Sequence, residues 1–75
     1  MLNNSLEKLH PQSSNITRTK YIPESKTLEV EYKNNKTYQY SDVPPEVHEE
    51  LLKAPSVGSF LSKNVKGKFG FEEVK

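Results

Sequence analysis

Seventy-five residues with a hydrophobic share of 32% make one small domain at most, which buries only about 60% of its extended-chain surface on folding and gains from self-association. Eleven Lys and Arg against ten Asp and Glu leave a net charge of +1, too balanced for blanket neutralisation of duplex DNA, so any basic site must be local. Cysteine is absent, which excludes a disulfide framework and a cysteine-based zinc site and leaves the redox compartment undetermined.

Residues 1–12 are mostly polar, with little apolar spacing beyond Leu6 and Leu9. They read as a flexible arm or a short terminal turn ahead of a single domain over residues 13–75. Apolar runs never exceed two or three residues, so a transmembrane helix and a signal peptide are not expected and the location reads as cytoplasmic. Residues 16–22 are rich in β-branched side chains and include Tyr21, and the Pro23-Glu24-Ser25-Lys26 segment then separates them from the next strand as a turn does. Over residues 27–33, Leu28, Val30 and Tyr32 alternate with Glu29, Glu31 and Lys33, the pattern of a half-buried strand. Asn34 and Asn35 tolerate the left-handed backbone of a tight hairpin, and beyond them Tyr38 and Tyr40 share a face.

At Val43 the period changes. Val43, Val47 and Leu51 fall at i, i+4 and i+8 behind Pro44 and Pro45, predicting a helix over residues 44–53. Pro55 stops it. Ser56 is a natural N-cap for a second helix whose inner face is Val57, Phe60, Leu61 and Val65, with Gly67 at its C-terminal exit. The expected fold is α+β: a three-stranded antiparallel meander followed by two helices packed on one face, in the order β-β-β-α-α. Leu28, Val30, Tyr38 and Tyr40 then lie under Val47, Leu51, Phe60 and Leu61.

The ionisable residues argue against catalysis. A hydrolytic triad needs nucleophile, base and acid together, yet the chain has one Asp, Asp42, with His10 in the arm and His48 mid-helix, where it reads as half-exposed. Two separated histidines without cysteine do not make a tetrahedral metal site, so neither metal nor cofactor is expected. Glu46, Glu49 and Glu50 suit the start of a helix, where the macrodipole and the Glu49–Lys53 spacing account for them. Phosphate-binding glycine loops are missing, and the glycosylation triplets at Asn3, Asn15 and Asn35 mean little without a secretion signal.

Two features remain. Ser56, Gly58 and Ser59 open the second helix with free N–H groups and hydroxyls able to receive a phosphate or carboxylate, although N-capping accounts for the same residues. Lys63, Lys66 and Lys68 then form a local basic run without an acid until Glu72, which either complements the helix dipole or contacts a nucleic acid or nucleotide. Arg18 and Lys20, on one face of the first strand, are candidates to extend it.

Taken together, Ser13-Ser14-Asn15-Ile16, Leu28-Glu29-Val30-Glu31-Tyr32, Tyr38-Gln39-Tyr40 with Val43-Pro44-Pro45, and Ser56-Val57-Gly58-Ser59-Phe60 resemble the KTSC domain family over residues 13–71. The family occurs at the C-terminus of some lysyl-tRNA synthetases and as a free-standing small protein of bacteria and their viruses. Where the family tends to carry Gly before the first-strand tyrosine this chain has Lys20; it has Asn34-Asn35 in place of a hairpin Gly, and Gly70 where a proline often separates two aromatics. The resemblance implies no catalytic residue and, from the synthetase context, RNA binding. The expectation is therefore a non-enzymatic binding module for a phosphate-bearing ligand, RNA or a small nucleotide. Size and family distribution make sequestration of a host nucleotide signal by a virus one such use. The alternative is a protein–protein module, or homo-oligomer, built on the sheet edge or the tail beginning at Phe69.

Overall fold

The computed structural model describes residues 6–11 and 13–74. It contains a five-stranded antiparallel sheet in the order β1-β2-β3-β4-β5, built from β1 (Leu6–Leu9), β2 (Ile16–Ile22), β3 (Thr27–Tyr32), β4 (Thr37–Tyr40) and β5 (Phe71–Glu73). Helices α1 (Pro45–Lys53) and α2 (Val57–Asn64) lie between β4 and β5 in the chain. The class and the central meander are as expected, but the sheet is wider by a strand at each edge. Leu6–Leu9, read from the sequence as arm, pairs along its length with β2; of the rest of that arm, residues 1–5 and 12 lie outside the described residues.

Turn chemistry sets the meander. Asn35 takes the left-handed conformation at φ 69°, and Asn34 Oδ1 accepts from the Lys36 N–H at 3.2 Å, closing the β3–β4 hairpin as an Asx-type turn. Lys26, also left-handed at φ 54°, ends the β2–β3 turn and accepts the Val43 N–H on its carbonyl at 2.8 Å. That bond fastens the approach to α1 against the meander.

Pairing aligns the side chains in rows. Leu6, Tyr21, Leu28, Tyr40 and Phe71 form one row across the helical face, and Lys8, Thr19, Val30, Tyr38 and Glu73 form the next. From these rows Tyr21, Leu28, Val30 and Tyr40 join Ile16 in a core closed by Val43, Leu51, Leu61 and Val65. Tyr38, Val47 and Phe60, expected at its centre, are partly buried around it. The opposite face carries Glu7, Lys20, Glu29, Gln39 and Glu72 in one row and Leu9, Arg18, Glu31 and Thr37 in another. This face is polar because every second residue of each central strand points away from the helices.

Both histidines are more enclosed than the sequence indicated. His48 is 3% exposed and stacks on Tyr21 with ring centroids 4.7 Å apart, since its position on α1 turns it toward the sheet. His10 is 7% exposed and its Nε2 lies 2.9 Å from Thr19 Oγ1, because the β1–β2 pairing holds the end of β1 against the core.

Candidate ligand groove

Helix α2 starts as the sequence predicts. Ser56 is extended and its Oγ accepts from the Ser59 N–H at 3.3 Å, an N-cap. A second turn faces this start from across a groove. Ser13 Oγ accepts from the N–H groups of Asn15 and Ile16 at 3.3 and 3.0 Å, and the Lys33 N–H donates to the Asn15 carbonyl at 2.9 Å. The β1–β2 connection is thus held between the hairpin and α2.

The groove has a volume of about 660 Å³. Ser56, Gly58 and Ser59 line it from α2, while Ser13, Ser14 and Asn15 line it from the β1–β2 connection. Lys8 and Lys63 supply positive charge, His10 contributes to its wall, and the described lining residues include no Asp or Glu. Burial, with the nearby Lys8 charge second, holds the His10 pKa below its ordinary value, so its ring is neutral at pH 7. A Cβ built on Gly58 would meet Asn15 Nδ2 at 3.7 Å, an ordinary contact. Packing therefore leaves room for alanine there, and the bare glycine keeps the helix backbone open to the groove.

The predicted basic residues separate into four places. Lys63 joins Ser56, Gly58 and Ser59 at the groove. Lys66 lies beyond the helix exit with its Nζ 5.6 Å from the centre of the Tyr32 ring, in a second depression with Lys33 that shares Ser14 and Asn15 with the first. The α2 exit turns on the Leu61 carbonyl, which accepts from both Val65 and Lys66; Gly67 follows at φ 79°, and Lys68 is exposed outside both depressions. Arg18 and Lys20 do not extend this patch. They project from the opposite sheet face, where Arg18 pairs with Glu7 at 2.6 Å and Glu31 at 2.8 Å. Lys8, Ser13, Ser14 and Asn15 are not among the ligand-binding residues expected from the sequence; Ser13-Ser14-Asn15 enters there only as one of the blocks that carry the family resemblance.

Among the described residues no three His, Asp or Glu side chains gather as a metal-holding group, and no helix is long and apolar enough to cross a membrane. The fold and groove define a small α+β domain with a polar, lysine-flanked cleft beside a helix start. The KTSC domain family model matches residues 12–69, and the chain belongs to that family. It is 41% identical over 66 residues to a lysine–tRNA ligase of Nostoc punctiforme, an alignment covering 88% of this chain and 12% of the ligase. It is also 42% identical over 52 residues to an uncharacterized protein of Stutzerimonas stutzeri, covering 69% of this chain and 73% of that protein. Its fold matches the crystal structure of a KTSC domain protein from Yersinia pestis with a TM-score of 0.88 and 31% identity, over 95% of this chain and 99% of the other.

Proposed function

We propose that this chain is a non-enzymatic binding module whose ligand carries phosphate, held in the groove between the α2 start and the 13–15 turn. One observation carries the reading: two segments far apart in sequence converge their hydroxyls and a bare helix start on one cleft flanked by Lys8 and Lys63, with no acid in its described lining. With the Ser59 N–H capped by Ser56, a phosphate there meets the Val57 and Gly58 N–H groups at the positive end of the helix dipole, hydroxyl donors and ammonium groups. A compact cleft suits a nucleotide or a terminal phosphate better than the side of a duplex, and sequestration of a nucleotide signal is a role such a module serves without chemistry. A second reading, a protein–protein module, is favoured by strand β1, the edge of the sheet among the described residues, where Leu6 and Leu9 are 51% and 64% exposed.

Calorimetric titration with pyrophosphate and ADP tests the groove. Binding is expected for the parent, with Gly58→Glu abolishing it by placing a carboxylate in the cleft and Lys63→Gln weakening it about tenfold, the scale of one lost charge-assisted hydrogen bond. Arg18→Gln, on the far face, should bind like the parent. A silent parent, or a Gly58→Glu variant that still binds, rejects the groove and leaves the protein–protein reading.

A further inference from the structure

The helical face of the sheet carries an aromatic row that the core does not fully use. Tyr32 and Tyr38 meet edge to face at 5.5 Å, and Tyr38 meets Phe71 the same way at 5.5 Å. Phe71 also touches Tyr40 at 5.6 Å. Two tyrosines therefore hold the Phe71 ring in place, yet the residue is 58% exposed. At the other end of the row, Lys66 stands over the Tyr32 ring. The depression under Lys66 shares Ser14 and Asn15 with the phosphate groove. One path thus leads from the α2 start, past Asn15 and Lys66, onto a row of rings.

A bare phosphate or a polyphosphate has no use for such a row. A nucleotide chain has, because every base presents a π face to an aromatic side chain while lysines follow its backbone. Lys33 and Lys66 provide that charge on the path, and Lys36 lies 3.7 Å from Glu73, offsetting the acid nearest the row. A duplex keeps its bases stacked inside and presents none to Phe71. We infer that the ligand is a single-stranded oligonucleotide whose phosphate lies in the groove and whose bases stack along Tyr38 and Phe71. This rests on the phosphate-groove reading and extends it to a ligand class.

Fluorescence anisotropy with labelled octauridylate, competed by UMP, by a G·C-rich RNA duplex long enough to stay paired in the assay and by inorganic polyphosphate of matching charge, separates the two levels. The single strand should outcompete UMP, duplex and polyphosphate at least tenfold. Phe71→Ala and Phe71→Leu should each weaken octauridylate binding about tenfold, the value of one stacked base, and leave polyphosphate competition unchanged. Phe71→Leu keeps an apolar contact with Tyr38 and serves as the folded control, checked by circular dichroism. Lys66→Gln should flatten the slope of log affinity against log salt by about 0.7. If polyphosphate competes as well as the single strand and both Phe71 variants bind like the parent, stacking is overturned and the groove stands. Equal loss of octauridylate and polyphosphate in both variants makes Phe71 structural and also overturns it. If UMP, octauridylate and polyphosphate all fail to bind, both readings fall.

Discussion

At the residue scale the two histidines give the chain a pH dependence that its composition hides. Burial holds the pKa of His48 below the ordinary range, with only partial relief from Glu49, and His10 is lowered in the same direction. The unfolded chain takes up these protons near pH 6.5 while the folded one resists them, so stability is fully present above that pH and declines as pH falls through the lower folded values. The melting midpoint should drop between pH 7 and pH 5, and a His10→Gln, His48→Gln double variant should flatten that part of the profile. A midpoint independent of pH over this window would contradict the burial. Tyr21 offers a second test. Its hydroxyl donates to the Val43 carbonyl in the core, so Tyr21→Phe should cost about 1–2 kcal/mol in denaturant unfolding by leaving that oxygen unpaired. Tyr38→Ala should cost about 1–3 kcal/mol, because its ring is partly buried rather than at the centre of the core, where such a truncation costs roughly 3–5. An unchanged midpoint would remove Tyr38 from the packing.

At the element scale, legibility followed burial. Strand β3 was readable because Leu28 and Val30 are buried and their neighbours are not, which imposes the two-residue period. Strands β1 and β5 are exposed at every residue, so nothing selects apolar side chains on one face and no period exists to read. Their place comes chiefly from backbone pairing, joined at β5 by the contacts of Phe71 with Tyr38 and Tyr40. The same logic separates the site residues. Ser56 announces itself through capping chemistry, whereas Lys8 becomes a groove residue only because β1 pairs with β2 and brings it into the row of Thr19. Arg18 and Lys20 were misplaced although the alternation with Thr19 and Tyr21 already assigned them to the other face. Two backbone positions yield predictions here. Lys26→Gly removes a side chain from a left-handed position and should stabilise by about 0.5–1 kcal/mol, measurable as a raised denaturation midpoint. Gly58→Ala should stabilise α2 by a similar amount, roughly 0.5–1 kcal/mol, since the added Cβ meets only an ordinary contact; a loss of stability would show that packing requires the glycine.

At the scale of the whole molecule, charge is divided between the two sides of the sheet. Lys8, Lys33, Lys63 and Lys66 line the depressions beside the helices, whereas Arg18 on the opposite face is bound to Glu7 and Glu31. The same face also carries Lys20, Glu29 and Glu72, so within a net charge of +1 lysine-lined depressions on one side of the sheet stand against an acid-rich sheet face on the other. The bare edges obey a further constraint, one of symmetry. Two identical antiparallel strands can be related only by a two-fold axis normal to the sheet, and opposed residues must share a face, so their numbers must be both odd or both even. The full Leu6–Leu9 overlap would oppose Leu6 to Leu9 and is forbidden. The longest overlaps confined to that strand instead set Glu7 against Glu7 or Lys8 against Lys8, and the full overlap of Phe71–Glu73 sets Glu72 against Glu72. Like charges directly opposed weaken a strand pair. Arithmetic parity thus guards both open edges against closed dimers, leaving self-association to the helical side or to head-to-tail contacts that run on into filaments.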